Sequence, residues 1–233
     1  MFRSLPDVPE PFDAEAFAHA SVPDDQNAFD LYRQASERLE PLGAELADNY
    51  AGAMKKGWRE LPDAYREWLE RNRELLAIYR AGSERPDALY VQPGELMWDT
   101  QLPVTCSLGD LSRLAELEAL RLEAQEDCSA AWTWYRAILM SGRHSGRHGG
   151  LVERMVGCTI YGRAAWPIAR WASLSGVDAA MLRAALAEVR DVYAMTPCTS
   201  ETLKADTFCS EKSSRINRCW AAVLTGKSQC PNI

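Results

Sequence analysis

Apolar residues in this chain return at the i, i+3, i+4, i+7 spacing of an amphipathic helix, and they rarely alternate as a half-buried strand requires. The strongest run lies between Leu111 and Tyr193. Leu111, Leu114, Leu117 and Leu120 mark one helix opening near Asp110, and Trp132, Trp134, Tyr135 and Ile138 mark another from about Ser129 to Met140. The polar turn between them, Gln125-Glu126-Asp127, is short enough to force an antiparallel hairpin. Residues 151–173 read as a further helix with a kink or break at Pro167, because an internal proline removes a hydrogen bond and crowds the preceding turn. Gly176 is the expected stop. Asp178 is the expected N-cap of a last helix, with Leu182, Leu186, Val189 and Tyr193 as its apolar stripe.

Upstream the signal is weaker but of the same kind. Asp24 and Asp25 supply carboxylates for a helix start, and Ala28, Tyr32, Ala35 and Leu39 follow at helical spacing as far as Pro41. A fainter helix is expected over 42–56. From Pro62, whose fixed φ suits a first turn, Tyr65, Trp68, Leu69, Leu75, Leu76 and Tyr79 form one stripe that Gly82 should end. Between 83 and 109 the helical period is lost among Pro86, Pro93, Gly94 and Pro103, with one short β-like run, Leu89-Tyr90-Val91. Met97 and Trp98 predict that this segment packs down onto the helices, as a structural loop or as a cover over a ligand.

The expected fold is therefore all-α: an irregular bundle of antiparallel helix pairs, TPR-like in the sense of a right-handed helical array, with about 7–8 helices and one long irregular loop. Residues 1–23, rich in proline, read as an extended arm. Residues 24–205 read as a single helical domain: N-terminal helices over 24–82, the irregular loop over 83–109 and a helix-hairpin region over 110–205. Beyond 206 serine and cysteine rise and periodicity fades, so 206–233 is expected to be a poorly ordered tail.

Composition narrows the function classes. A hydrophobic share of 47% and a charged share of 25% exclude global disorder. The net charge of −7 leaves no domain-wide basic footprint for nucleic acid and no polybasic membrane patch. No run approaches the roughly 20 apolar residues of a membrane span, so no membrane insertion is expected. The start Met1-Phe2-Arg3-Ser4-Leu5-Pro6 lacks an apolar signal segment, which predicts a cytoplasmic protein; the alternative is a membrane-tethered or periplasmic domain whose anchor lies upstream. Seven cysteines, an odd number with no CxxC pair, point to reduced thiols, with Cys106, Cys128 and Cys158 as small buried hydrophobes. Cys198, Cys209, Cys219 and Cys230 are too widely spaced for a zinc site.

Two resemblances follow from these patterns. The hairpin Leu111–Met140, with its Ala-Ala-Trp-x-Trp-Tyr-x-Ala second helix, resembles a tetratricopeptide-like unit, though no 34-residue period repeats along the chain. Three longer segments, Pro23 to Phe29, Gly82 to Leu89 and Arg143-His144-x-Gly-Arg147-His148-Gly, resemble a family of uncharacterised helical proteins found in planctomycete bacteria. Members of that family often carry an N-terminal membrane helix. The resemblance implies a helical fold and no known activity.

Candidate chemistry concentrates in one loop, Arg143 to Gly150, which holds two of the three histidines. His144 and His148 are four apart, the spacing of paired metal ligands on a helix. Gly146, Gly149 and Gly150 disfavour a helix there and no His-Glu-x-x-His pattern is present, so no metal and no cofactor are expected. Two readings stay open: an interhelix turn whose arginines cap carbonyls or pair with acids, and an anion site built from Arg143, His144, Arg147, His148 and freed backbone N–H groups. Asn72 interrupts an apolar stripe, so its amide must be satisfied by a neighbouring carbonyl or by a ligand. No nucleophile elbow or dinucleotide fingerprint is present. The expected function is a non-enzymatic helical interaction or scaffold module with a protein or peptide partner. The alternative is a binding protein or enzyme for a small anion or phosphate-containing ligand at the Arg143–His148 loop.

Overall fold

Two long helices, α6 (Pro103–Ala124) and α7 (Cys128–Ser145), form the hairpin around which the other elements are arranged. The computed structural model describes residues 14–92, 95, 103–196, 202–203, 206 and 210. Among these the protein is all-α, with eight helices of nine residues or more and a five-residue helix, α1 (Ala14–Ala18), inside the segment expected to be extended. Residues 1–13, Met97, Trp98 and nearly all of 206–233 lie outside the described residues. Of the expected tail, Asp206 and Ser210 are helical.

The first half forms a layer on one side of the hairpin. Helix α2 (Ala28–Ser36) buries Ala28, Phe29, Tyr32 and Ala35, as its spacing predicts. Its cap is Asn27, whose side chain accepts from the Phe29 N–H; the two aspartates upstream do not cap it. Helix α3 (Ala44–Met54) and a 3-10 turn at Trp58–Glu60 follow. The stripe from Tyr65 to Tyr79 divides into α4 (Asp63–Asn72) and α5 (Leu75–Ser83) instead of forming one helix. At the joint Arg73 N–H bonds the Glu70 carbonyl and Leu76 N–H bonds that of Arg73, the tighter i→i−3 pattern that ends a helical run. The break lets α4 pack on α6 while α5 packs on α2. Gly82 is not a stop either. It lies inside α5, and a Cβ there would stand 2.7 Å from a Tyr32 ring carbon, so its role is close helix approach.

Helix α6 starts at Pro103, well before Asp110. Val104 and Leu108 extend the buried row of Leu111, Leu114 and Leu117, a continuation that Ser107 and Gly109 on either side of Leu108 obscure in the sequence. Asp127 caps α7 through the Ala130 N–H. Helix α7 runs five residues past Met140 because it lies directly on α8 (Leu151–Trp171): a Cβ on Gly142 would meet the Gly157 carbonyl at 2.9 Å, and one on Gly157 would meet the Gly142 carbonyl at 2.2 Å. Helix α8 continues through Pro167 unbroken and ends at Trp171, short of Gly176, which sits in the following turn against the Cys128 sulfur. Trp171 is fully buried, and its indole donates to the Cys128 carbonyl at 2.8 Å. Burial of a side chain of this size contributes ~2–3 kcal/mol.

Helix α9 (Ala179–Ala194) is capped by Asp178 as expected, through the Ala180 and Met181 N–H groups. It packs on α7 with Ala185 and Val192 buried. The expected stripe is displaced to the edge of that face: Val189 packs against the core, but Leu182, Leu186 and Tyr193 are exposed. The run Leu89-Tyr90-Val91 makes no strand; a lone bridge joins Asn27 and Asp87. No helix among the described residues is long and apolar enough to cross a membrane.

Candidate functional site

The residues predicted to form a loop site split between a helix and a turn. Arg143 and His144 belong to the last turn of α7 and are buried; the connection proper is 146–150. His144 shares a 2.9 Å hydrogen bond with the Tyr32 hydroxyl through Nδ1. Burial, then the charges of Arg143 and Arg147, push the His144 pKa down to about 3, against weaker opposition from Asp87 and the Arg85 main chain, so the ring is neutral. Burial and the Arg147 charge likewise lower Arg143 to about 10.

Arg147 and His148 meet on one carboxylate. Arg147 Nε and His148 Nε2 both lie 2.8 Å from Asp87 Oδ1, and Arg147 Nη1 donates to the Pro86 carbonyl. Asp87 also accepts from the Ala88 N–H, and its own carbonyl accepts from Ala28. Asn27 completes the stitch. Its oxygen accepts from the Phe29 and Leu89 N–H groups, and its amide donates to the Leu89 carbonyl. Three segments far apart in sequence thus converge at one joint, where the α7–α8 turn is tied to the start of α2 and to 85–91. The space left beside His144, His148 and Glu153 is about 10 Å³, room for about one water. The arginine of this turn pairs with an acid, and the cavity is too small for a phosphate.

Asn72 plays no part in that joint. Its oxygen accepts from the Glu40 N–H at 2.9 Å, and its nitrogen donates to the Trp68 and Glu40 carbonyls. All its polar groups are satisfied between α4 and the segment before α3. Among the described residues no group of three or more His, Cys, Asp or Glu could hold a metal. Cys128 is buried as expected, but Cys158 is exposed on α8.

A second polar region, not anticipated from the sequence, lies between α3, α6 and α8. Glu116 of α6 is 4% exposed at the base of a cleft of about 260 Å³, walled by Tyr50, Met54, Trp166 and Pro167. Burial raises its pKa to about 7, against the pull of the Tyr50 hydroxyl and the charges of Arg163, Arg170 and Arg113. Burial and the neighbouring Arg113 lower Arg163, whose Nη1 donates to the Gly109 carbonyl and the Ser112 hydroxyl at 3.0 Å each. Arg113 pairs with Asp110 and lies over the Tyr50 ring. Deeper in, Arg170 donates to Glu123 at 2.7 Å and to the Tyr135 hydroxyl at 3.1 Å. A buried carboxyl group with a raised pKa among arginines in a cleft is the kind of group that binding and catalytic sites use.

A third feature is apolar. The large apolar side chains that stand exposed among the described residues all fall between Val152 and Leu203. Val152 and Met155 on α8 are each 61% exposed, and on α9 Leu186 is 50% and Tyr193 73% exposed. Leu182, Leu186 and Tyr193 lie in one row along α9, with Arg183 and Arg190 one position further round. Compared with known proteins, the chain matches no family model, no curated sequence and no solved structure.

Proposed function

We propose that the protein is a non-enzymatic helical interaction module, and that α9 presents its docking surface to an acidic amphipathic helix of a partner protein. The observation that carries this reading is that, among the described residues, exposed large apolar side chains are confined to the stretch from α8 onward. Soluble surfaces tolerate single exposed apolar residues, but a row along one helix suits a partner's apolar stripe. Arg183 and Arg190 beside the row select a partner bordered by carboxylates. The tetratricopeptide-like sequence of the α6–α7 hairpin supports the same class of function.

The test uses a designed amphipathic peptide helix with glutamates flanking a leucine stripe, titrated against the whole chain. Binding is expected, weakened by salt and abolished in Leu186→Glu/Tyr193→Glu. A lysine-flanked peptide that binds equally well overturns the charge assignment. Self-association of the wild type, lost in the same variant, would assign the face to a second copy of this chain.

The small-anion alternative at the Arg143–His148 loop has less to support it, because Asp87 already occupies Arg147 and His148. Phosphate protection of the wild type against thermal unfolding, absent in Arg143→Ala/Arg147→Ala, would restore it.

A further inference from the structure

The cleft between α3, α6 and α8 is lined by features that the interaction reading leaves unused. Its walls are apolar and aromatic: Met54 on α3, Trp166 and Pro167 on α8, and the Tyr50 ring. Its base is charged. Glu116 is buried there, and Arg163 makes neutral hydrogen bonds to Gly109 and Ser112, with no ion pair to a carboxylate within 4 Å among the described residues. Arg113 Nε is buried without a hydrogen-bond partner among the described residues. A half-buried arginine near a buried carboxyl group, under apolar walls and open to solvent on one side, suits an anion with an apolar body.

We propose that this cleft binds a small organic carboxylate, whose apolar part packs against Trp166 and Met54 and whose carboxylate bridges Arg163 and the Glu116 carboxyl group. The volume of about 260 Å³ falls just below the roughly 300–1,000 Å³ of drug-sized pockets, so it suits a ligand the size of benzoate and excludes a nucleotide. Two carboxyl groups in contact share one proton, as like charges at that distance cannot both ionise. Binding therefore takes up a proton whenever Glu116 is ionised beforehand.

The groups that face Glu116 favour this exchange. From α3 come the Tyr50 hydroxyl and, at the rim, Asp48 and Lys55. Arg113 comes from its own helix, Arg163 and Arg170 from α8, and Tyr135 from α7. Arg113 and Arg170 are already neutralised by Asp110 and Glu123. Arg163 is left as the cation that an incoming carboxylate meets.

Calorimetric titration of the whole chain with benzoate, benzamide and inorganic phosphate tests the assignment. Benzoate is expected to bind at least tenfold more tightly than benzamide. Its affinity should fall about tenfold per pH unit above pH 7, with a binding heat that changes with buffer ionisation enthalpy as proton uptake requires. Glu116→Gln keeps a donor for the ligand and loses the titration, so its affinity should become independent of pH. Arg163→Met should lose binding of benzoate at least tenfold. Equal binding of benzamide and benzoate, pH-independent binding by the wild type, binding of phosphate in preference to benzoate, or no saturation by millimolar benzoate would each overturn the proposal. Because Glu116→Gln removes only a charge, it keeps the test decisive even where Arg163→Met fails to fold.

Discussion

The joint around Asp87 and the cleft around Glu116 both bury charged groups between helices, yet they are built to opposite ends. At the joint Asp87 takes Arg147 and His148, Asn27 ties Phe29 to Leu89, and space for about one water remains, while Arg143 Nε and Nη1 and His144 Nε2 are buried without a hydrogen-bond partner among the described residues. At the cleft Glu116 and Arg163 face an open volume of about 260 Å³ and no carboxylate pairs with Arg163 among the described residues. A network packed around space for one water fixes a fold, while charged groups lining an open cleft leave binding capacity. Their titrations also run in opposite directions, which makes pH the sharpest way to separate them.

The largest expected effect belongs to the joint. His144 has a folded pKa of about 3 against 6.5 for the free side chain, so between those values the unfolded chain binds more protons than the folded one. Its contribution is fully present above pH 6.5 and is lost as pH falls toward 3, in total about 5 kcal/mol. Urea unfolding as a function of pH should show that loss, and His144→Gln should flatten it. Parallel profiles for the two proteins would break the assignment.

Glu116 comes next, with the opposite sign. Its folded pKa of about 7 lies above the ordinary 4.5, so the folded state holds the extra proton between those values. Stability conferred by the neutral form is complete below pH 4.5 and declines as pH rises through 7, by about 3 kcal/mol. Glu116→Gln should therefore be more stable than the wild type at pH 8 and similar at pH 5. Between pH 4.5 and 6.5 the two groups oppose each other in the wild type, and each single variant exposes the other's slope.

Some of this was legible in the sequence and some was not, for physical reasons that differ by residue. The Asp178 cap and the α6–α7 hairpin are local, and local rules find them. His144 and Arg147 stood out by type, but Asp87, Asn27 and Tyr32 became their partners only through the packing of α2 and 85–91 against the α7–α8 turn. Glu116 was hidden for another reason. Carboxylates within a leucine stripe read as a solvated face, but α6 is the central helix and is buried from Leu111 to Leu120 at every position except Arg113. On α9 the larger residues suggested the stripe, whereas close packing on α7 chose the smaller Ala185 and turned Leu182 and Leu186 outward. Asn72 was legible as a polar intruder, and Glu40 and Trp68 satisfy it.

A smaller effect tests whether the two regions are mechanically independent. Gly157→Ala places a methyl 2.2 Å from the Gly142 carbonyl, where backbone must move. Overpacking costs ~1–3 kcal/mol, and a backbone obstacle puts this case at the upper end. The variant should lose thermal stability and weaken the acid dependence due to His144, while the Glu116 titration stays in place. A simultaneous change in both titrations would show that α8 couples the joint to the cleft.

The smallest expected effect isolates one hydrogen bond at the joint. Tyr32→Phe removes the hydroxyl that meets His144 Nδ1 and leaves the ring's volume against Gly82 and Tyr79. A buried polar atom deprived of its partner costs ~1–2 kcal/mol, and no cavity adds to it. Burial remains the main force on His144, so the ring should stay neutral and the acid-induced loss should keep its shape, displaced downward by that amount. Chemical denaturation at pH 7 and nuclear magnetic resonance of the histidine ring read the two quantities separately. If Tyr32→Phe instead restored an ordinary histidine titration, the neutral ring would depend on its phenol partner, and the joint would be a switch rather than a fixed tie.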